Sequence, residues 1–279
     1  MAAIGWYNGT AGPLDTMTVP MLDRAVYFGD GCYEALKAIG RKPFALEAHL
    51  DRFYKSLSAL EIPAPLTREA LKAALFDCLF MAEEPRSVLY WQASRGTARR
   101  THAFPEHAAP NLMITVTPLL PEPDRALTLI TAEDIRYRMC DVKTLNLLPN
   151  VLCNERAKRA GADGAILVRD GFVTEGTHTN VHLLKGGTLY THPADERILA
   201  GVTRGIVLNF CETLCIPVSE TAFPPDALFT ADEVFVTSSV LGIRRVERVD
   251  GVPVGGRAPE RFGAICAAYE QRFSEETNA

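Results

Sequence analysis

Lys143 stands in DVKTLNLLPNV, where the residues that follow are largely apolar. An ammonium is costly to keep in such surroundings, so this lysine is a candidate for chemistry: as a free amine it can attack a carbonyl and form a Schiff base. The alternative is a lysine at a sheet edge whose stem covers apolar surface while its head reaches water. Glu175, in FVTEGTHTN, follows an Asp-Gly turn and leads into a Gly- and Thr-rich loop that can approach a ligand closely. A carboxylate there can keep a ring nitrogen protonated; the plainer alternative is a solvated hairpin carboxylate.

Other segments offer places for anions. Gly201 and Thr203 fall where ILAGVTRGIVLNF passes from loop to helix, and the backbone N–H groups and hydroxyl at that positive end form either a phosphate cup or an ordinary N-cap. Thr237, Ser238 and Ser239 follow the apolar run EVFV and supply a second group of donors. Arg52 lies on the polar side of an amphipathic helix beside His49 and Asp51; its guanidinium can clamp a phosphate through two bonds or remain a surface charge. The loop RGTARRTHAFP gathers Arg95, Arg99, Arg100 and His102, a set suited to a carboxylate, or else a solvated basic loop. His178 and His182 have helical spacing, but their segment reads as loop entering strand, which favours local hydrogen bonding over metal ligation.

Alternation and helical spacing supply the elements that must position these groups. LEAHLDRFYKSLSAL at 46–60 places Leu46, Leu50, Phe53, Tyr54, Leu57 and Leu60 on one helical face, and Thr67 caps a second helix over about 67–82. VLYWQASRG and NLMITVTPLL then read as strands. Residues 1–118 are thus expected to form a smaller N-terminal α/β domain, LLPEPD at 119–124 a linker, and residues 125–279 a larger mixed α/β domain. In the latter, ALTLITAED is a strand, NVLCNERAKRAG a helix closed by Gly161, and AILVRDGFVTEG a hairpin turning at Asp170-Gly171. VHLLKGGTLYTH is a second hairpin, followed by a helix at about 203–215, a strand EVFVTSS and a terminal helix at about 259–274. The class is α+β with two domains, without the regular βαβ alternation of a dinucleotide fold.

Composition narrows the function. The 279 residues are 47% hydrophobic and 23% charged, as a globular chain with a sizeable core requires, and the net charge of -5 lacks the basic excess that nucleic-acid binding usually needs. No basic-then-apolar leader opens the chain and no run of about 18 apolar residues occurs, so a cytoplasmic protein that does not bind membranes is expected. Seven scattered cysteines read as reduced and structural. GDGCYE at 29–34 has two glycines of a dinucleotide loop at most, and GxxxxGK[ST], HExxH and paired CxxC are absent, which leaves chemistry on small molecules and no metal.

In combination, DRAVYFGDGCYEALK, EAHLDRFYKSL, DVKTLNLLPNVLCNERAKRAGADGAILV, VTEGTHTNV, ILAGVTR and FVTSS make the chain resemble the fold-type IV pyridoxal-5'-phosphate enzymes over nearly its whole length. Within that group it is most similar to the D-amino-acid aminotransferases, through Tyr33-Glu34 after the GDG turn and through the loop from Arg95-Gly96 to Arg100-Thr101-His102-Ala103-Phe104-Pro105. Branched-chain enzymes usually carry a glycine-rich stretch after the lysine, where this chain has Thr144-Leu145-Asn146, and the lyases usually lack the R-x-H pair.

The resemblance implies transamination between a D-amino acid and a 2-oxo acid, with pyridoxal 5'-phosphate as cofactor and a homodimer as the assembly. It makes Lys143 the Schiff-base lysine, Glu175 the partner of the pyridine nitrogen, and Leu199 a residue beside the ring. Arg52, Val202, Thr203, Ser238 and Ser239 become the phosphate holders, and Arg136 serves the ring hydroxyl or supports another contact, with Arg138 close in sequence. Tyr33, Arg100 and His102 would trap the substrate carboxylate; Arg99 competes with Arg100, whose spacing to His102 favours it. A branched-chain L-amino-acid or R-amine aminotransferase, a lyase of the same fold and a cofactor-free scaffold are the alternatives.

Overall fold

A computed structural model of the chain describes residues 3–121 and 125–278, so that 122–124 of the expected linker lie outside the described residues. The chain forms two compact units: one comprises Met1–Pro121, Val142–Asn146 and Phe273–Ala279, the other Glu122–Asp141 and Leu147–Arg272. The segment that carries Lys143 therefore belongs with the first unit although it follows the start of the second in sequence.

The first unit is built on an antiparallel sheet of β1 (Ile4–Tyr7), β2 (Thr10–Pro13), β3 (Gly31–Ile39), β4 (Lys42–Pro43), β5 (Arg86–Ser94) and β6 (Asn111–Pro118), in the order β2-β1-β6-β5-β3-β4. A short helix α1 (Arg24–Phe28) precedes β3, and α2 (Leu46–Ala59) and α3 (Arg68–Met81) lie between β4 and β5 in sequence. The helix expected at 46–60 forms because its apolar residues recur every three or four positions, burying Leu46, Leu50, Phe53 and Leu57. The Thr67 hydroxyl accepts from Ala70 N at 3.3 Å, the N-cap expected there. Period-two burial turns Cys32, Glu34, Leu36 and Ala38 of β3 inward, and the apolar members join Leu50, Phe53, Leu75, Leu89, Trp91 and Ile114 in one core. The opposite face of β3 keeps Tyr33, Ala35 and Lys37 half-exposed.

Gly31 is a glycine for a steric reason: a Cβ there would lie 2.2 Å from the carbonyl oxygen of Ala93 on the paired strand β5. The segment around Lys143 lies antiparallel to the start of β3, with Tyr33 N donating to Lys143 O and Leu145 N to Gly31 O, each at 3.0 Å.

The second unit carries β7 (Leu127–Glu133), α4 (Leu148–Arg159), β8 (Gly164–Arg169), β9 (Phe172–Gly176), β10 (Asn180–Lys185), β11 (Thr188–Thr191) and α5 (Val202–Thr213). It continues through β12 (Val218–Glu220), α6 (Asp226–Thr230), β13 (Glu233–Ser238), β14 (Gly242–Val249), β15 (Val252–Pro253) and α7 (Pro259–Thr277), whose last residues count with the first unit. The sheet runs β12-β11-β10-β13-β14-β7-β8-β9, with β15 beside β14. The hairpin expected at Asp170-Gly171 is present, both residues at positive φ as a two-residue turn requires. Irregular alternation hides three parallel pairs among the described residues: β7 with β8 across α4, β11 with β12 across α5, and β7 with β14. Val173, Val181, Leu183, Val234, Val236 and Val246 are among the buried residues of its main apolar core. No helix among the described residues is long and apolar enough to cross a membrane.

Candidate active site

In the first unit, Lys143 is half-buried and its Nζ lies 4.2 Å from the centroid of the Tyr33 ring. The backbone bond between Tyr33 and Lys143 sets this proximity, and a bond from Lys143 N to the Ser56 hydroxyl at 3.4 Å ties the segment to α2. Tyr33 stacks on Tyr90 at 5.5 Å, and the Tyr90 hydroxyl donates to Gln92 Oε1 at 2.6 Å. An ammonium against an aromatic face is attracted by the ring quadrupole, and once it has given up its proton the same nitrogen can act as a nucleophile or a base.

Arg52 departs from the polar helix face expected of it. Asp51 points to solvent, but Arg52 and His49 turn inward to Glu34, a wholly buried carboxylate on β3. Arg52 Nε and Nη2 donate to its two oxygens at 2.7 and 2.8 Å, and His49 Nδ1 lies 2.7 Å away. Burial pushes the Glu34 carboxyl up, yet the Arg52 charge and the bonds from Arg52 and His49 outweigh it and bring the group down to about 2. Burial lowers His49, which Glu34 opposes, while Arg52 and Lys143 lower it further. The burial of Glu34 follows from the alternation of β3, which places it on the inward face with Cys32 and Leu36.

The basic loop collects its two expected carboxylate binders on one ring. The Arg100 guanidinium lies 5.2 Å from the centroid of Phe28, and the His102 ring lies 5.5 Å from it. Arg99 is exposed, with its carbonyl accepting from Thr101 N. Arg95 is buried and binds Asp30, so it is a brace of the loop.

In the second unit, Glu175, one residue before the end of β9, is buried where the register between β8 and β9 shifts, and its carboxylate is the hub of a polar cluster. Arg136 Nη1 donates to one oxygen; Asn180 Nδ2 and Leu199 N donate to the other, each at 3.1 Å. Arg136 is itself held by Asp134 through Nε and Nη2 at 2.9 and 2.7 Å, and Arg169 and Thr174 also bind Asp134. Burial raises Asp134, but these bonds and charges leave it below the usual carboxylate range. Arg136 thus acts on Glu175, whereas Arg138 is exposed.

Leu199, Gly201, Val202 and Thr203 follow one another into α5. Asn180 Nδ2 also donates to Leu199 O at 2.8 Å, which fixes the approach. A Cβ on Gly201 would lie 2.1 Å from Asn180 Oδ1, so the helix begins where only glycine leaves Asn180 its place. No side chain caps α5, so the N–H groups of its first turn have no side-chain acceptor at the cap position. Ser238 ends β13, its hydroxyl accepting from Leu241 N at 3.1 Å, and Ser239 stands in the turn that follows. His182 is wholly buried, stacked 4.9 Å on Phe235 and bonded to Thr237, while His178 meets the Thr177 hydroxyl. No group of three or more His, Cys, Asp or Glu among the described residues could hold a metal ion.

The donors of the second unit suit a phosphorylated pyridine, with a buried carboxylate for a ring nitrogen and an uncapped helix start and hydroxyls for a phosphate, and the first unit carries a lysine amine of the kind that takes an aldehyde. The architecture is that of the fold-type IV enzymes. The branched-chain amino acid aminotransferase of Escherichia coli superposes with a TM-score of 0.90 at 23% identity, covering 99% of this chain and 96% of that one. The match of residues 31–249 to the class IV amino-transferase model places the chain in that family, whose members work with pyridoxal 5'-phosphate. Two similar proteins of established name are D-alanine aminotransferases. That of Bacillus licheniformis is 37% identical over 256 residues, covering 91% of this chain and 90% of the relative, and that of Listeria monocytogenes is 36% identical over 265 residues, covering 93% and 91%.

Proposed function

We propose that the chain is a pyridoxal-phosphate aminotransferase that moves an amino group between a D-amino acid and a 2-oxo acid. The observation that carries this reading is the Lys143 amine held over Tyr33, since it puts the nucleophile and base beside a residue of the expected carboxylate trap. The D-alanine aminotransferase relatives support the substrate class. The branched-chain enzymes share the architecture at an identity that speaks for fold alone.

The bound cofactor supplies an aldehyde that takes the amino group and a pyridinium ring that draws electrons from the substrate Cα. Everything else falls to this chain. Glu175 keeps a proton at the ring nitrogen, and Arg136 and Asn180 hold its carboxylate in place. Val202, Thr203, Ser238 and Ser239 would hold the phosphate, as would Arg52, whose guanidinium Glu34 orients, and Leu199 would serve the ring. Lys143 Nζ takes the proton from the substrate Cα and returns one in the reverse direction. Tyr33, Arg100 and His102 bind the α-carboxylate, which selects the Cα–H bond presented to Lys143 and so the configuration accepted.

The working assembly is a homodimer in the cytoplasm, acting on free amino acids and 2-oxo acids, with neither nucleic acid nor membrane as partner. The loop then completes the partner subunit's site, which accords with Arg100 and His102 gathering on Phe28 rather than on Tyr33 of their own chain. Lys143→Ala tests the catalytic assignment: turnover falls by orders of magnitude with the fold intact, and near-normal turnover overturns it.

A further inference from the structure

We propose that Asp30 is a positioning residue for the carboxylate-binding loop, acting through Arg24 on the backbone between Arg100 and His102. The inference rests on the reading of that loop given above. Residues 98–110 form neither helix nor strand, and 99–104 are exposed, so neither a ladder nor burial holds Arg100 and His102 in place. Their placement falls to hydrogen bonds from outside the loop.

Arg24 supplies them. Its Nη1 donates to Thr101 O at 2.7 Å, at the residue separating Arg100 from His102, and reaches Ala103 O at 3.5 Å, while its backbone N binds Gly96 O at 3.0 Å. The side chain is only 4% exposed, and a guanidinium so buried needs a counter-charge. Asp30 Oδ2 provides it at 2.7 Å from Nε. The same oxygen accepts from Arg95 Nε at 2.9 Å. The Arg95 guanidinium in turn lies 3.5 Å from the centroid of Phe104 and donates to the carbonyls of Leu60 and Glu61.

One carboxylate therefore fixes two arginines that engage the loop at Thr101 and at Phe104, on either side of His102. Arg24 also shares α1 with Phe28, the ring against which Arg100 and His102 both lie, and its own guanidinium is 4.8 Å from that ring. Asp30 sets the position of the carboxylate binders while remaining apart from the groups assigned to proton transfer. Loosening the loop weakens substrate binding in ground and transition states alike, which raises KM and spares kcat.

The experiment is steady-state kinetics of the purified holoenzyme with D-alanine and 2-oxoglutarate, comparing wild type with Asp30→Asn, Arg24→Gln and Arg100→Gln. Arg24→Gln leaves Asp30 paired with Arg95 and serves if Asp30→Asn fails to fold. The expected result is a KM for D-alanine raised about tenfold in Asp30→Asn and Arg24→Gln, with kcat within about twofold, and a larger rise in Arg100→Gln. A raised KM in Arg100→Gln with an unchanged KM in Asp30→Asn and Arg24→Gln overturns the inference and leaves the loop assignment standing. A fall in kcat or in folded fraction alone, with KM unchanged, makes Asp30 merely structural and also overturns it. An unchanged KM in Arg100→Gln overturns the loop assignment itself and the inference with it.

Discussion

The carboxylate of Glu34, wholly buried on β3, is bonded to the Arg52 guanidinium through Nε and Nη2 at 2.7 and 2.8 Å. Glu34→Gln removes the charge that orients Arg52 and leaves that guanidinium facing a neutral amide. Breaking a buried pair in this way costs about 3 kcal/mol of stability. Since Arg52 is assigned to the phosphate, cofactor affinity should fall about tenfold, read from titration of apoprotein by absorbance. Unchanged affinity and melting temperature would separate Arg52 from the phosphate.

The same pair gives an acid signature. The folded Glu34 carboxyl lies near 2, below its ordinary 4.5, so its contribution to stability is complete above the ordinary value and is lost as pH falls through the interval towards 2. Wild type should therefore lose more stability than Glu34→Gln between those limits. Parallel acid-unfolding curves would contradict this.

Glu175→Gln keeps the bonds in the Asn180 and Leu199 direction but removes the negative charge that holds the ring nitrogen protonated. Turnover should fall at least about a hundredfold while the protein still binds cofactor. A variant with wild-type kcat would show that the Glu175 carboxylate is structural.

Gly201→Ala forces a methyl against Asn180 Oδ1, displacing a side chain that bonds both Glu175 and Leu199 O. Cofactor dissociation should rise about tenfold, followed by equilibrium dialysis. An alanine tolerated without loss would mean that Asn180 can move freely.

Arg99→Gln should leave the KM for D-alanine within about twofold of wild type, because Arg100, and not Arg99, shares Phe28 with His102. A rise matching that of Arg100→Gln would reassign the carboxylate binder.

The helices α2 and α3 were legible because their apolar residues repeat at helical spacing, and the β8–β9 hairpin because Asp-Gly marks its turn. The strand β3 was not: Glu34 occupies an inward position, and the helix-favouring residues Ala35, Lys37 and Ala38 obscure the alternation. Missing it hid the partner of Arg52, placing on the polar face of α2 a residue that turns to a buried charge. Asp134 and Asn180 were missed for a related reason. Nothing local distinguishes a loop aspartate that holds Arg136 from one in solvent, because the relation is made only when β7, β8 and β9 pair. Lys143 and Glu175 stood out because each is a charged residue in a segment otherwise apolar or turn-forming.

The most direct test of the central claim is the absorption spectrum of the holoenzyme mixed separately with D-alanine, L-leucine and an R-amine, without an acceptor. Conversion to the pyridoxamine form by D-alanine alone is the predicted result. Conversion by L-leucine or the amine, with D-alanine inert, would contradict it.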